Sequence, residues 1–98
     1  MTHMQRTKRK LDMAPLYDAL RVLKTRDEMA AFLRDLCTRA ELEAFAERIA
    51  IARALSKDVS YRTVADATGA SVTTVSRVAH WLKHGQGGYR TALSRIKK

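Results

Sequence analysis

Residues 71–77 run Ser-Val-Thr-Thr-Val-Ser-Arg. Val72, Thr73, Thr74 and Ser76 open a helical pattern with three hydroxyls, which lower helix propensity by competing for backbone hydrogen bonds. Residues that cost helix stability want a reason. Hydroxyls at a helix start can bond base edges or phosphates, and the methyls of Val72 and the threonines can pack on thymine methyls. Tyr61 and Arg62, just upstream, are placed to touch a phosphate backbone. Lys57, Lys83 and Arg90 can add further phosphate contacts. The plain alternative is an ordinary exposed helix start on a solvated surface.

Charge decides between them. The chain has 98 residues, with 19 Lys and Arg against 10 Asp and Glu, a net charge of +9. Residues 14–56 balance at seven basic and seven acidic side chains, whereas residues 57–98 carry eight basic and two acidic. Residues 1–13 add four basic and one acidic. The positive field therefore sits on the N-terminal arm and on the half that holds the hydroxyl cluster, as expected for a polyanion partner.

Other chemistries lack their parts. No nucleophile elbow, phosphate-cradling glycine loop or paired-carboxylate signature occurs, so an enzyme is not expected. His80 and His84 stand four apart, but no carboxylate or cysteine lies near in sequence to complete a metal site. Cys37 is the single cysteine and is expected as a small core residue. No cofactor is expected. No apolar run approaches the length of a membrane span, and the basic N-terminus has no apolar segment behind it. These features predict a cytoplasmic protein with no membrane partner.

The elements that must position the cluster are all helical. Leu16, Ala19, Leu20 and Leu23 recur at helical spacing behind Pro15, a residue suited to the first helical position. Thr25 with Glu28, and Thr38 with Glu41, have the T-x-x-E spacing of a capping box. The first opens a helix with the stripe Met29, Phe32, Leu33 and Leu36. The second opens the longest helix, to about Ser56, with Leu42, Phe45, Ala46, Ile49 and Ala52 on one face and Ile51 and Leu55 beside it. So broad an apolar surface predicts burial on more than one side. Ser60 can cap a short helix stopped at Gly69, and Ser71 can cap the next, to about Lys83. After the glycine-rich break, Tyr89, Ala92, Leu93 and Ile96 make a last amphipathic helix. Residues 60–83 thus have the form of a helix-turn-helix. Ala65 is the small residue at the helix crossing, Gly69 the turn, and Val64, Val75, Val78 and Leu82 face inward. The expected organisation is a flexible basic arm over 1–13 and one helical domain over 14–98.

The segments LYDALRVLKTRDEMAAFLRDLCTRAELEAFAERIAIARAL, SYRTVADATGASVTTVSRVAHWL and HGQGGY make the chain resemble the Trp-repressor superfamily. Within it the likeness is to the Trp-repressor-related family labelled YerC/YecD. The resemblance runs from about Leu16 to Ile96. It implies an all-α, six-helix subunit that intertwines with a twofold mate. It also implies two helix-turn-helix units set into successive major grooves of a near-palindromic operator.

In the superfamily tryptophan serves as corepressor between the helix-turn-helix and the dimer core. The resemblance matches Arg48, Arg77 and Thr38 to that pocket. It departs at Val78, where the repressor has glycine, and at Trp81, where it has serine. Overfilling such a site costs on the order of 1–3 kcal/mol. The chain is therefore expected to bind double-stranded DNA as a homodimeric repressor without tryptophan, with Trp81 taking up part of the vacated volume. A protein-binding adaptor using the helical hairpin is the competing expectation, but an adaptor has no need of a phosphate field.

Overall fold

The computed structural model describes residues 10–96. Most of the arm expected over 1–13 lies outside the described residues. Within them are six helices and no strand: α1 (Ala14–Val22), α2 (Arg26–Leu36), α3 (Arg39–Leu55), α4 (Tyr61–Thr68), α5 (Val72–His84) and α6 (Gly88–Ile96). Contacts divide the chain between Leu36 and Cys37 into two compact units.

In the first unit, Pro15 lies in the opening turn of α1. Glu28 Oε1 accepts from the Lys24 N–H at 2.8 Å, while Thr25 Oγ1 accepts from the Glu28 N–H at 3.0 Å. The α2 cap is therefore offset by one residue from a reciprocal box. Leu16, Ala19 and Leu20 on α1, Leu23 at its C-cap, and Met29, Phe32 and Leu33 on α2 are half-buried. Leu36 is exposed, and neither helix holds a fully buried residue.

The second unit holds the core. α3 starts with the full capping box: the Glu41 N–H donates to Thr38 Oγ1 at 3.1 Å, and the Thr38 N–H donates to Glu41 Oε1 at 2.8 Å. α3 packs against α4, α5 and α6, and α4 packs against α5. Ile51 and Ala52 of α3, Val64 and Ala65 of α4, Ala70, and Val75 and Val78 of α5 form one buried cluster. Ile51, Val64 and Val75 are fully enclosed, and each contributes about 2 kcal/mol of burial free energy. Leu55, Leu82, Tyr89 and Leu93 pack around it.

Two expectations about helix faces change. On α3 the enclosed residues are Ala52, at the end of the anticipated face, and its neighbour Ile51, while Phe45 and Ile49 on that face stay 45% and 39% exposed. An apolar girdle that runs round a helix does not say which side its own chain will cover, and here α4, α5 and α6 take the Ile51 side. On α6 only Tyr89 and Leu93 reach the core, and Ala92 and Ile96 remain exposed.

Candidate nucleic-acid interface

The same cap is used twice in the α4–α5 pair. Ser60 Oγ accepts from the Thr63 N–H at 3.1 Å and lies 2.9 Å from Thr63 Oγ1. Ser71 Oγ accepts from the Thr74 N–H at 3.0 Å and donates to Thr74 Oγ1 at 3.0 Å. Each satisfies an orphan donor in a first helical turn. Between the helices, Gly69 closes α4 in the left-handed region, φ 81°, with its N–H on Ala65 O at 2.9 Å. Glycine occupies that region without the Cβ penalty. Ala65 is buried where the helices cross, and Val64, Val75 and Val78 are buried on the inward faces, with Leu82 half-buried. The anticipated roles of these residues in the helix-turn-helix are met.

The outward side of α5 carries an open groove of about 410 Å³ lined by Val72, Thr73, Ser76, Arg77 and His80. The spacing i, i+1, i+4, i+5, i+8 is one face of an α-helix. Three of the expected base readers, Val72, Thr73 and Ser76, come together here. Thr74 does not join them; it is half-buried and engaged in the cap. Arg77, matched by resemblance to an effector pocket, stands with the readers instead. His80 also joins them, and a helical wheel starting at Thr73 was the signal that could have found it.

Tyr61 and Lys83 line a second and larger groove of about 820 Å³. Lys57 and Arg90 lie there too, with Arg53, around apolar side chains such as Leu82 and Leu93. The cations anticipated as phosphate contacts are thus divided. Arg62 is exposed on the first turn of α4 and lines neither groove.

Charge compensation differs along the chain. Among the described residues the ion pairs are Arg21–Asp18 at 3.8 Å and Arg39–Glu43 at 3.3 Å, both ahead of the helix-turn-helix. Among the described residues, no carboxylate lies within 4.0 Å of Arg62, Arg77, Lys83, Arg90 or Arg95. Their field reaches solvent unneutralised, which raises the local concentration of a polyanion.

Of the residues matched to the effector site, Arg77 alone lines either of these grooves. Val78 is 3% exposed and belongs to the core, so it fills space where the resemblance placed a vacancy. Trp81 is 57% exposed, and its ring meets the His80 ring edge-on at 5.0 Å. Within one chain its side chain is therefore left open on the surface of α5. α5 turns its inward face through Val75, Val78 and Leu82, and Trp81 lies to one side of that arc. The Arg48 guanidinium lies 5.8 Å over the Phe45 ring, and Thr38 Oγ1 is held by its cap. Cys37 is half-buried at the junction of α2 and α3. The His80 and His84 rings lie 5.0 Å apart, and among the described residues no three His, Cys, Asp or Glu side chains gather as a metal set. No described helix is long and apolar enough to cross a membrane.

Known proteins share this arrangement. The Trp repressor protein family matches residues 10–97. YerC of Bacillus subtilis (strain 168), an uncharacterized protein, is 36% identical over 87 residues, covering 89% of this chain and 84% of its own. Two solved structures are similar. A TrpR-like protein from Eubacterium eligens has a TM-score of 0.79 at 35% identity, with 84% of each chain covered. A candidate Trp repressor from Staphylococcus aureus has a TM-score of 0.82 at 32% identity, covering 93% of this chain and 91% of its own. With its six helices, its helix-turn-helix and this sequence match, the chain belongs to the Trp repressor family, a family of DNA-binding regulators.

Proposed function

We propose that the protein is a homodimeric, sequence-specific repressor of transcription in the cytoplasm that binds a near-palindromic operator through α5. The observation that carries this is the exposed α5 groove, which holds Val72, Thr73 and Ser76 beside Arg77, a cation with no carboxylate within 4.0 Å among the described residues. The methyl and hydroxyl groups suit base edges, and Arg62, Lys83 and Tyr61 suit the flanking phosphates.

The dimer draws support from what one chain leaves uncovered. Leu36, Phe45, Ile49 and Trp81 are each 39% exposed or more. Phe45 and Ile49, one turn apart on α3, make an exposed apolar stripe that favours a second copy over water. Two reading helices related by a twofold axis call for half-sites about one helical turn apart.

Tryptophan is not needed in this reading. Val78 is packed among Ile51 and Val75, so the reading helix is seated by its own side chain. Val78 and Trp81 thereby set the chain apart from a ligand-gated relative, and Arg48 and Thr38 keep local roles as a ring contact and a cap.

The test is selection of genomic DNA fragments by the purified protein, without and with L-tryptophan. Enrichment of one near-palindromic sequence without tryptophan is expected. Affinity for that sequence should fall steeply with salt, by close to one logarithmic unit per tenfold salt for each phosphate neutralised. Enrichment only with tryptophan would overturn the effector-free reading. Capture of no DNA, together with salt-insensitive binding of a protein, would favour the adaptor.

A further inference from the structure

The α5 groove extends further than base reading requires. Thr73 and His80 are seven residues apart, about 10 Å along a helix that rises 1.5 Å per residue. The major groove is only about 12 Å wide. When Val72 and Thr73 are at the base edges, a side chain that far along α5 on the same face has climbed to the groove wall. The wall is phosphate. Lysine or arginine is the common choice there; this chain has a histidine, exposed and in line with Thr73 and Arg77.

We propose that His80 is a DNA contact that holds a backbone phosphate as its imidazolium, so that the protein takes up a proton at His80 when it engages DNA. The proposal rests on the DNA-binding reading above. Histidine is the side chain whose charge changes between about pH 5 and 8, and a phosphate beside it favours the charged form. Among the described residues, no carboxylate lies within 4.0 Å of His80. All the groove's lining comes from α5 and includes no carboxylate. The charged and titratable groups facing His80 are Arg77 in the same groove and His84, its ring 5.0 Å away. Trp81 meets the ring edge-on and is uncharged. DNA would be the first anion that His80 meets. Binding would then tighten as pH falls, while Arg77 supplies a contact that does not change with pH.

The experiment is a fluorescence anisotropy titration of a labelled mixed-sequence DNA duplex with the full chain, from pH 8 to pH 5.5 at fixed ionic strength. Phosphate contact needs no particular sequence, so the duplex reports on His80 whatever the operator. Affinity of the unmodified protein should rise several-fold as pH falls, up to about tenfold for each proton linked by a one-unit shift. His80→Gln should stay near the weaker, high-pH affinity and lose most of the pH dependence. His80→Arg should stay near the tighter affinity throughout, which also shows that a change at this exposed position leaves the fold able to bind. Should His80→Gln keep the full pH dependence, or should the dependence vanish in His84→Gln instead, the assignment to His80 is overturned. Binding of the unmodified protein that is equally tight at every pH overturns the proton uptake and leaves the DNA reading standing. No binding at any pH overturns the DNA reading and this proposal together.

Discussion

The chain contains two helical pairs built to one plan with different outcomes. α1 and α2 are joined by three residues, 23–25, and α4 and α5 by three residues, 69–71. Both pairs carry apolar stripes. The α1–α2 pair has leucine, methionine and phenylalanine at its stripes and encloses none of them. The α4–α5 pair has valine and alanine and encloses Val64, Ala65, Val75, Val78 and Ala79. The difference lies in what stands beside each pair. Small β-branched side chains let α4 and α5 close on each other and on Ile51 of α3. Long side chains need more apolar surface than a two-helix pair offers, and a second subunit is the proposed source. A stripe is written in local sequence, whereas its burial depends on a third surface.

The comparison can be broken most forcefully at the shared core. Ile51→Ala should cost about 2–5 kcal/mol in urea denaturation, because it empties a fully enclosed site. Phe45→Glu sharpens the comparison from the other side. Phe45 is 45% exposed in a single chain, and a change at such a surface usually shifts stability by less than about 0.5 kcal/mol. If a partner covers it, the variant should instead sediment as a monomer and lose the concentration dependence of Tm. Unchanged mass and unchanged Tm would remove the support for a dimer through α3.

Smaller effects come from the helix ends. A Cβ on Gly85 would lie 2.5 Å from the Trp81 carbonyl oxygen, whose hydrogen bond from the Gly85 N–H ends α5. Gly85→Ala should therefore cost about 1–3 kcal/mol, an overpacking effect visible as a lower denaturation midpoint. At Gly69 nothing lies within 4 Å of the added Cβ, so only backbone strain remains. Gly69→Ala should cost about 1–2 kcal/mol, and Gly69→Asn less, since asparagine tolerates the left-handed region. Ser71→Ala, which removes the α5 cap, should cost about 1 kcal/mol by thermal melting.

What the sequence revealed follows the same division. The caps at Thr38, Ser60 and Ser71 and the stop at Gly69 were legible, because each rests on residues within four positions of one another. The inward roles of Val64, Val75 and Val78 were legible too, since a small residue, a glycine and a run of valines at set spacing leave few ways to pack. The buried side of α3 was not, because Ile51 and Ile49 are equally apolar and only the placement of α4, α5 and α6 decides between them. At the interface, Thr74 was grouped with Thr73 as its chain neighbour, although successive helical residues turn by about 100°. The turn sends Thr74 toward its cap and brings Arg77 and His80 round beside Thr73. Trp81 lies beside the enclosed arc of α5, and what covers it depends on a surface outside the single chain.

The three-residue turn at Gly69 has a kinetic consequence. Bringing α4 onto α5 closes a short loop, and the entropy of closing a loop rises with its length. Contact between α3 and α6 must close more than thirty residues, from Leu55 to Gly88. The Val64–Val75 contact should then form early in refolding, within the microsecond-to-millisecond range of local helical contacts. α6 would follow once that surface exists. The helix pair proposed to meet DNA is thus the part that the chain can assemble first.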